Sequence, residues 1–455
     1  MIDGGTGGLP GRGGLPRRFG LLLALVPVIA VGLADAVIAA RTASGPAKPP
    51  VSHVATDRGR VNDAEARRAD ALNTLLEHRA AAMLHHDRAG FLATVDPEQP
   101  AFLAEQRREY DAASQVPLAS WSYDFTAATP QSPNASLARY DAPTWAPQQF
   151  TLHYAIRGFD AVPTSLRQYP TFVHRAQGWF VASFSDFAKS GERSDVDIWN
   201  FGALRTATAR GVLVLGHPSS LSLMRSIAIE AAAAIPRVTA VWGRDWPRRV
   251  VVLVPSSQHE LAQIIDDSSD LSQIAAVASA EVQDCPGPPN PVGYRVAINP
   301  HNWGKLSLLG RQVVLTHELT HVATRAATGS CTPTWLVEGF ADYVGYLGSG
   351  VPTTVVAQEL AADVRAGRVP THLPRDTDFD GDNKRLAQAY EGAWMAMHLI
   401  VDRWGERTLV RLYRTVGTSN DDPSVAMADA VKSLLHITFP QFVAQWRAYL
   451  RARLS

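Results

Sequence analysis

From residue 211 onward, apolar residues come in two alternating rhythms. "ARGVLVLGHPSS" holds a short continuous apolar run, which predicts a buried strand. The Ala-rich "LSLMRSIAIEAAAAIPRVTAVWG" after it predicts a long helix. "WPRRVVVLVPSS" repeats the strand pattern, "HELAQII" starts another helix, and "GYRVAINPHNW" gives a short third strand, read as a sheet edge able to pair with an extended peptide. The expected order is therefore β-α-β-α. Upstream the rhythm differs. In "NDAEARRADALNTLLEHRAAAMLHHDRAGFLATV", Leu72, Leu75, Leu76, Ala80 and Met83 recur at helical spacing. "WSYDFTAAT", "QQFTLHYAIRGFD" and "YPTFVHRAQGWFVASFSD" then alternate and are rich in aromatic and β-branched residues, as strands are. Helices followed by antiparallel strands predict an α+β domain over residues 61–190, with a connector at 191–210. Residues 349–455 carry one helical pattern after another, from "TTVVAQELAADVRAG" to "FPQFVAQWRAYLRARL".

One apolar run fits neither rhythm. Leu21 to Ala40 contains no Lys or Arg and a single acid, Asp35, after a flexible stretch bearing Arg12, Arg17 and Arg18. About 20 such residues at ~1.5 Å each match a ~30 Å hydrocarbon layer. The segment 19–40 is expected to be a transmembrane anchor. Residues 1–18 would then be cytoplasmic, 41–60 a Pro- and Ser-rich linker, and the remainder extracellular. The alternative is a cleaved signal peptide and a secreted protein. Export changes the reading of the two cysteines, Cys285 and Cys331. Outside a cell such a pair bridges more often than not, and closing this loop would stabilise by roughly 4 kcal/mol. Two unrelated buried thiols are the alternative. The 455 residues exceed one ordinary core, and the zero formal net charge gives no argument for nucleic acid.

The candidate chemistry lies in "LTHELTHVATRAATGSCTPTWLVEGFADYV". Val314, Leu315, Leu319, Val322 and Ala323 put the first part on a helix, so His317 and His321 lie one turn apart on one face. Both imidazoles can reach one ion, and Glu318, rotated by about 100°, can reach a water on it. A catalytic zinc needs a third ligand and an open position. "WLVEGFADY" supplies Glu338 on a plausible second helix, with Asp342 one turn further on. Asp342 is placed to accept the free N–H of a ligating histidine.

HELTH followed by "WLVEGFADY" resembles the gluzincin branch of the zincin metallopeptidases, thermolysin included. Its E-x-x-x-D form is matched by Glu338 and Asp342. The resemblance implies one zinc ion held by His317, His321 and Glu338, with Glu318 as the base that deprotonates zinc-bound water to attack a peptide bond. It implies a thermolysin-like catalytic domain over 211–348, a small mixed sheet plus the HExxH helix, and a helical C-terminal subdomain over 349–455. The metzincin pattern H-E-x-x-H-x-x-G-x-x-H is not met. No G-x-M-E-N segment is present either, which favours an endopeptidase over an aminopeptidase. Gluzincins often add a Tyr or His from the helical subdomain as oxyanion stabiliser. Tyr390 is the first candidate, then His398 and His301.

The 61–190 segment resembles the NTF2-like cone fold through "HHDRAGFLATVDP", "WSYDF" and "GWFVASF". That resemblance implies a docking or regulatory module with a protein partner. His85 and His86 there read as a solvated helix end. Asp376, Asp378, Asp380 and Gly381 imitate half of a calcium loop, but the twelfth position is Ala387, so the loop reads as solvated acid. Two functional readings follow. One is an exported, membrane-anchored zinc peptidase. The other is a non-catalytic zinc-containing envelope protein, binding or scaffolding through its NTF2-like domain.

Overall fold

The computed structural model describes residues 22–24, 35–42, 58–125, 131, 135–266, 271, 274–282, 293–329, 331–381 and 383–455. In chain order the first elements are β1 (Leu22–Ala24), β2 (Asp35–Thr42), α1 (Arg58–Leu84), α2 (Arg88–Ala93) and α3 (Pro100–Ala113). Six strands follow: β3 (Leu118–Phe125), β4 (Thr144–Trp145), β5 (Phe150–Ile156), β6 (Thr164–Arg167), β7 (Thr171–Arg175) and β8 (Gly178–Ser183). The middle of the chain forms β9 (Arg205–Ala209), β10 (Val212–Gly216), α4 (Leu221–Trp242), β11 (Val250–Val254), α5 (Gln258–Ile264), β12 (Ile274–Val282) and β13 (Arg295–Ile298). Helices then take over: α6 (Pro300–Trp303), α7 (Leu308–Thr324), α8 (Thr334–Tyr346), α9 (Thr353–Val356) and α10 (Gln358–Arg365). The last four are α11 (Leu386–Trp404), α12 (Glu406–Gly417), α13 (Pro423–Leu435) and α14 (Phe439–Leu454).

The central sheet has the order β1-β2-β12-β13-β11-β10-β9. β10, β11 and β13 run parallel, while β9 and β12 are antiparallel to their inner neighbours. "VLVLG", "VVVLV" and "RVAI" are buried along their whole length, as parallel strands covered on both faces must be. The pleat divides them strictly. Val212, Val214, Val250, Val252, Val296 and Ile298 join the core shared with α4, α7 and the C-terminal helices. Leu213, Leu215, Val251, Leu253 and Ala297 join a second core with Phe91, Trp121, Tyr154 and Trp199.

That second core belongs equally to the N-terminal domain, whose strands form the sheets β3-β5-β6 and β4-β7-β8 beside α1–α3. An ion pair fastens the seam. Arg295 of β13 makes a forked contact with Asp160, 2.8 and 2.7 Å, both side chains nearly wholly buried. The Tyr154 ring lies 5.7 Å from its guanidinium, and the Tyr154 hydroxyl donates to Asp197 at 2.5 Å.

Two expectations are corrected. "GYRVAINPHNW" is no sheet edge. β13 is paired on both sides, and the chain outside it is β12, whose "IAAVASAEV" is small and β-branched. The expected membrane helix is, at Leu22–Ala24 and Asp35–Thr42, two strands: β2 runs parallel to β12 and β1 antiparallel to β2. No described helix is long and apolar enough to cross a membrane. An open strand edge is a template for backbone pairing, and the "AVIAA" of β2 suits it. Residues 1–21 and 43–57 lie outside the described residues, and with them the expected cytoplasmic tail and most of the linker.

Candidate metal centre

α7 starts at Ser307, whose side chain accepts from the Gly310 N–H at 3.1 Å. From Val313 to Thr324 every residue is buried, so the histidines cannot face bulk water. α8 is buried throughout as well. Its first turn is capped from a distance: Asp376 accepts from the Thr334 N–H at 2.9 Å. The acidic loop that imitated a calcium site thus places one carboxylate at a positive helix end. Two glycines let α8 fit between its neighbours. A Cβ on Gly345 would stand 3.2 Å from the Val313 carbonyl oxygen and 3.5 Å from the His317 Cβ. A Cβ on Gly339 would stand 2.7 Å from the Ala393 carbonyl oxygen of α11.

This packing brings three of the predicted residues to one point. His317 Nε2 and His321 Nε2 are 2.9 Å apart, and Glu338 Oε2 lies 3.3 and 3.6 Å from them. Zinc–ligand bonds of about 2.0–2.1 Å in a tetrahedron put neighbouring donors about 3.3–3.4 Å apart, so the set brackets the required spacing. The chemistry of the donors agrees. Both carboxylate oxygens of Glu338 and of Glu318 are buried without a hydrogen-bond partner among the described residues. Burial in that state is costly, and a divalent cation relieves it. His317, His321 and Glu338 are the one such cluster among the described residues.

Asp342 lies 2.8 Å from His317 Nδ1. It accepts the Nδ1 proton and leaves Nε2 as the lone-pair nitrogen facing His321 and Glu338. Burial raises the Asp342 carboxyl to about 6, against the pull of His317. Burial would lower the His317 imidazole, but Asp342 and Glu338 hold it well above its usual value. His321 is lowered by burial. Burial acts to raise Glu338, yet the two histidines hold it down at about 2. Glu318 is pushed up to about 8 by burial, with His317 opposing and Glu338 adding to the rise; the backbone of Ala278 on β12 favours its anion. A carboxylate suited to hold protons thus sits beside one suited to hold a cation.

The three oxyanion candidates lie on α11 and α6. Tyr390 on α11 is wholly buried, its ring edge-on to Phe379 at 4.9 Å. His398 packs between the rings of Trp394 and Tyr343, and burial lowers its imidazole. His301 is exposed on the short α6. Cys331 is partly exposed and is not a free thiol, while Cys285 lies outside the described residues. The sequence reading missed the helix-spacing role of Gly339 and Gly345. A glycine inside an apolar helical pattern signals close backbone approach. It also missed the Asp376 cap, for which no local signal exists.

No family model matches the chain, and no curated protein matches it. Solved structures do resemble it in part. A two-domain M1 zinc metallopeptidase mutant bound to L-arginine is 15% identical, with a TM-score of 0.30 over 56% of this chain and 52% of its own. An M1 zinc metallopeptidase from Deinococcus radiodurans is 16% identical, with a TM-score of 0.34 over 74% of this chain and 62% of its own. The chain spans about half to three-fifths of the length of these neighbours. Likeness at this level names neighbours and goes no further.

Proposed function

We propose that this protein is a zinc-dependent peptidase. The observation that carries the reading is the convergence of His317, His321 and Glu338 on one buried point, with the unsatisfied carboxylate of Glu318 beside them. His317 Nε2, His321 Nε2 and a Glu338 oxygen would hold the ion. Zinc in such a set supplies a Lewis acid with one open position. Glu318 would take the proton from the attacking water and return it to the leaving amine, a role open to a buried carboxylate beside the ion. Asp342 would keep His317 in the ligating tautomer. Tyr390 as oxyanion donor, and endopeptidase action in the absence of a G-x-M-E-N segment, are further parts of the proposal. Export is another, resting on the basic residues ahead of the apolar run at Leu21–Ala40. The Cys285–Cys331 bridge belongs with it.

The test is zinc analysis of the purified protein together with a peptide-hydrolysis assay. One zinc per chain is expected, lost in a His317→Gln/His321→Gln double variant. Glu318→Gln should keep the zinc and lower kcat by about 10²–10⁴-fold. A protein without stoichiometric zinc, or a Glu318→Gln variant with undiminished hydrolysis, ends the proposal. Zinc without hydrolysis would return the non-catalytic envelope reading.

A further inference from the structure

Four residues past His321, on the line His317–His321–Arg325, α7 ends in a buried arginine. Arg325 is 9% exposed. Its Nε has no hydrogen-bond partner, and no ion pair reaches its guanidinium among the described residues. Arg295 is matched by Asp160 and Arg175 by Asp96 and Glu98, while the buried Arg79 donates to Tyr123, Thr94 and Gln106. Arg325 instead has a ring beside it. The Tyr294 ring lies 5.8 Å from its Cζ, and the buried Tyr294 hydroxyl is also without a partner among the described residues. Burial lowers the guanidinium to about 10, with Tyr413 favouring its charge. Tyr413 itself lies within electrostatic range of both Glu338 and Arg325, so the arginine and the metal ligands share a neighbourhood.

A cation near a helix C-terminus can be placed there by the backbone dipole. That explains an exposed arginine with a solvated fork. It does not explain burying Nε without a partner next to a tyrosine whose own hydroxyl is buried without one, because unmade hydrogen bonds of buried groups oppose folding. Such groups persist where a ligand completes them. A planar five-donor guanidinium with a tyrosine on its flank fits a carboxylate.

We propose that Arg325 and Tyr294 form a carboxylate-binding subsite beside the metal centre, and that this protein acts on peptides presenting a carboxylate one helical turn from the reacting bond. The carboxylate is either the peptide's own C-terminus or an Asp or Glu side chain. The proposal rests on the peptidase reading for its substrate class, but binding can be measured without turnover.

The test uses the zinc-loaded full chain bearing Glu318→Gln and three matched peptides. One is amidated and free of acids, one is identical with a free C-terminus, and one is amidated with a single Glu in place of Gln. Equilibrium binding is measured with and without Arg325→Met. One carboxylate should tighten binding by about 10- to 100-fold, and the tighter peptide identifies the source. Arg325→Met should cut that preference to under about threefold, and Arg325→Lys should restore part of it. The melting temperature of Arg325→Met should hold or rise, because no ion pair or hydrogen bond among the described residues is lost and a buried Nε without a partner is removed. Equal binding of acid and amide, a preference that survives Arg325→Met, a lowered melting temperature with the preference unchanged, or no peptide binding at all would each overturn the subsite. If the preference holds while the native enzyme cleaves none of the three, the subsite stands and the peptidase reading falls. If the native enzyme cleaves all three alike, the reverse is true.

Discussion

Replacing Gly339 by Ala tests whether the spacing of helices sets the metal centre. The new Cβ would lie 2.7 Å from the oxygen, 2.8 Å from the carbon and 3.1 Å from the Cβ of Ala393. Two of the three obstacles are backbone, so no side-chain rotation relieves them. Ordinary contact begins near 3.4 Å, which requires α8 to retreat from α11 by about 0.7 Å. The retreat is blocked, because at Gly345 α8 already approaches the Val313 carbonyl of α7. Overpacking of this kind costs about 1–3 kcal/mol, offset by about 1 kcal/mol from the better helix propensity of Ala. The apo protein should therefore lose about 0–2 kcal/mol. The larger effect falls on zinc. Glu338 precedes the substituted residue, and a shift of several tenths of an ångström exceeds the ~0.2 Å tolerance of metal–ligand distances. Zinc affinity, measured by competition with a chelating dye, should fall by about tenfold or more. A Gly339→Ala protein that melts higher than the parent and binds zinc equally well would refute the reasoning.

Three further outcomes are expected. Asp342→Asn should weaken zinc about 10- to 100-fold, because an amide no longer accepts the His317 Nδ1 proton as a carboxylate does; competition titration reads it, and unchanged affinity would leave Asp342 without that role. Asp160→Asn leaves the Arg295 charge buried at the seam and should cost about 3–5 kcal/mol in urea unfolding, whereas a loss under about 1 kcal/mol would mean that the seam does not depend on the pair. The buried pair of His217 and Glu260, 2.7 Å apart, gives stability a pH window. Its hydrogen bond to Glu260 raises the His217 imidazole against the effect of burial. That contribution is whole below about pH 6.5 and fades as pH rises through the elevated value. Glu260 is pushed up by burial but held lower by His217 and Ser256, so its share is present above about pH 4.5 and is lost in acid. The melting-temperature gap between native and His217→Asn should be widest at about pH 5–6 and should narrow toward pH 9. A gap constant over that range would exclude the charged pair.

The cluster of His317, His321 and Glu338 was legible because it is local. Two histidines at i, i+4 and the pair Glu338–Asp342 need only helical periodicity to share a face, and the structure has both helices. The strands of the β-α-β units were legible for the same reason. The sheet edge was not, because the Ala and Ser of "IAAVASAEV" give a weak strand pattern beside the stronger "YRVAI". The apolar run at Leu21–Ala40 is not decided by its length alone, since the same small and β-branched residues suit a lipid layer or a strand edge. The Arg325–Tyr294 neighbourhood was hidden because the two residues sit in separate segments and no local pattern pairs them. The seam was half visible: strands apolar on both faces demand two covers, but nothing local names Asp160 as the partner of an arginine 135 positions away.

That seam has a consequence for anyone handling or comparing such chains. A boundary drawn between residues 190 and 211 follows the change in sequence rhythm, yet it cuts through a core instead of passing between cores. Expressed alone, the half with the His317–His321–Glu338 cluster would present Leu213, Leu215, Val251, Leu253 and Ala297 to water and would be expected to clump or recruit a substitute cover. The N-terminal half is therefore not cargo that can be exchanged while the centre stays intact. Variation along the seam has to be matched on both sides, so the two halves are bound to be inherited, and engineered, as one piece.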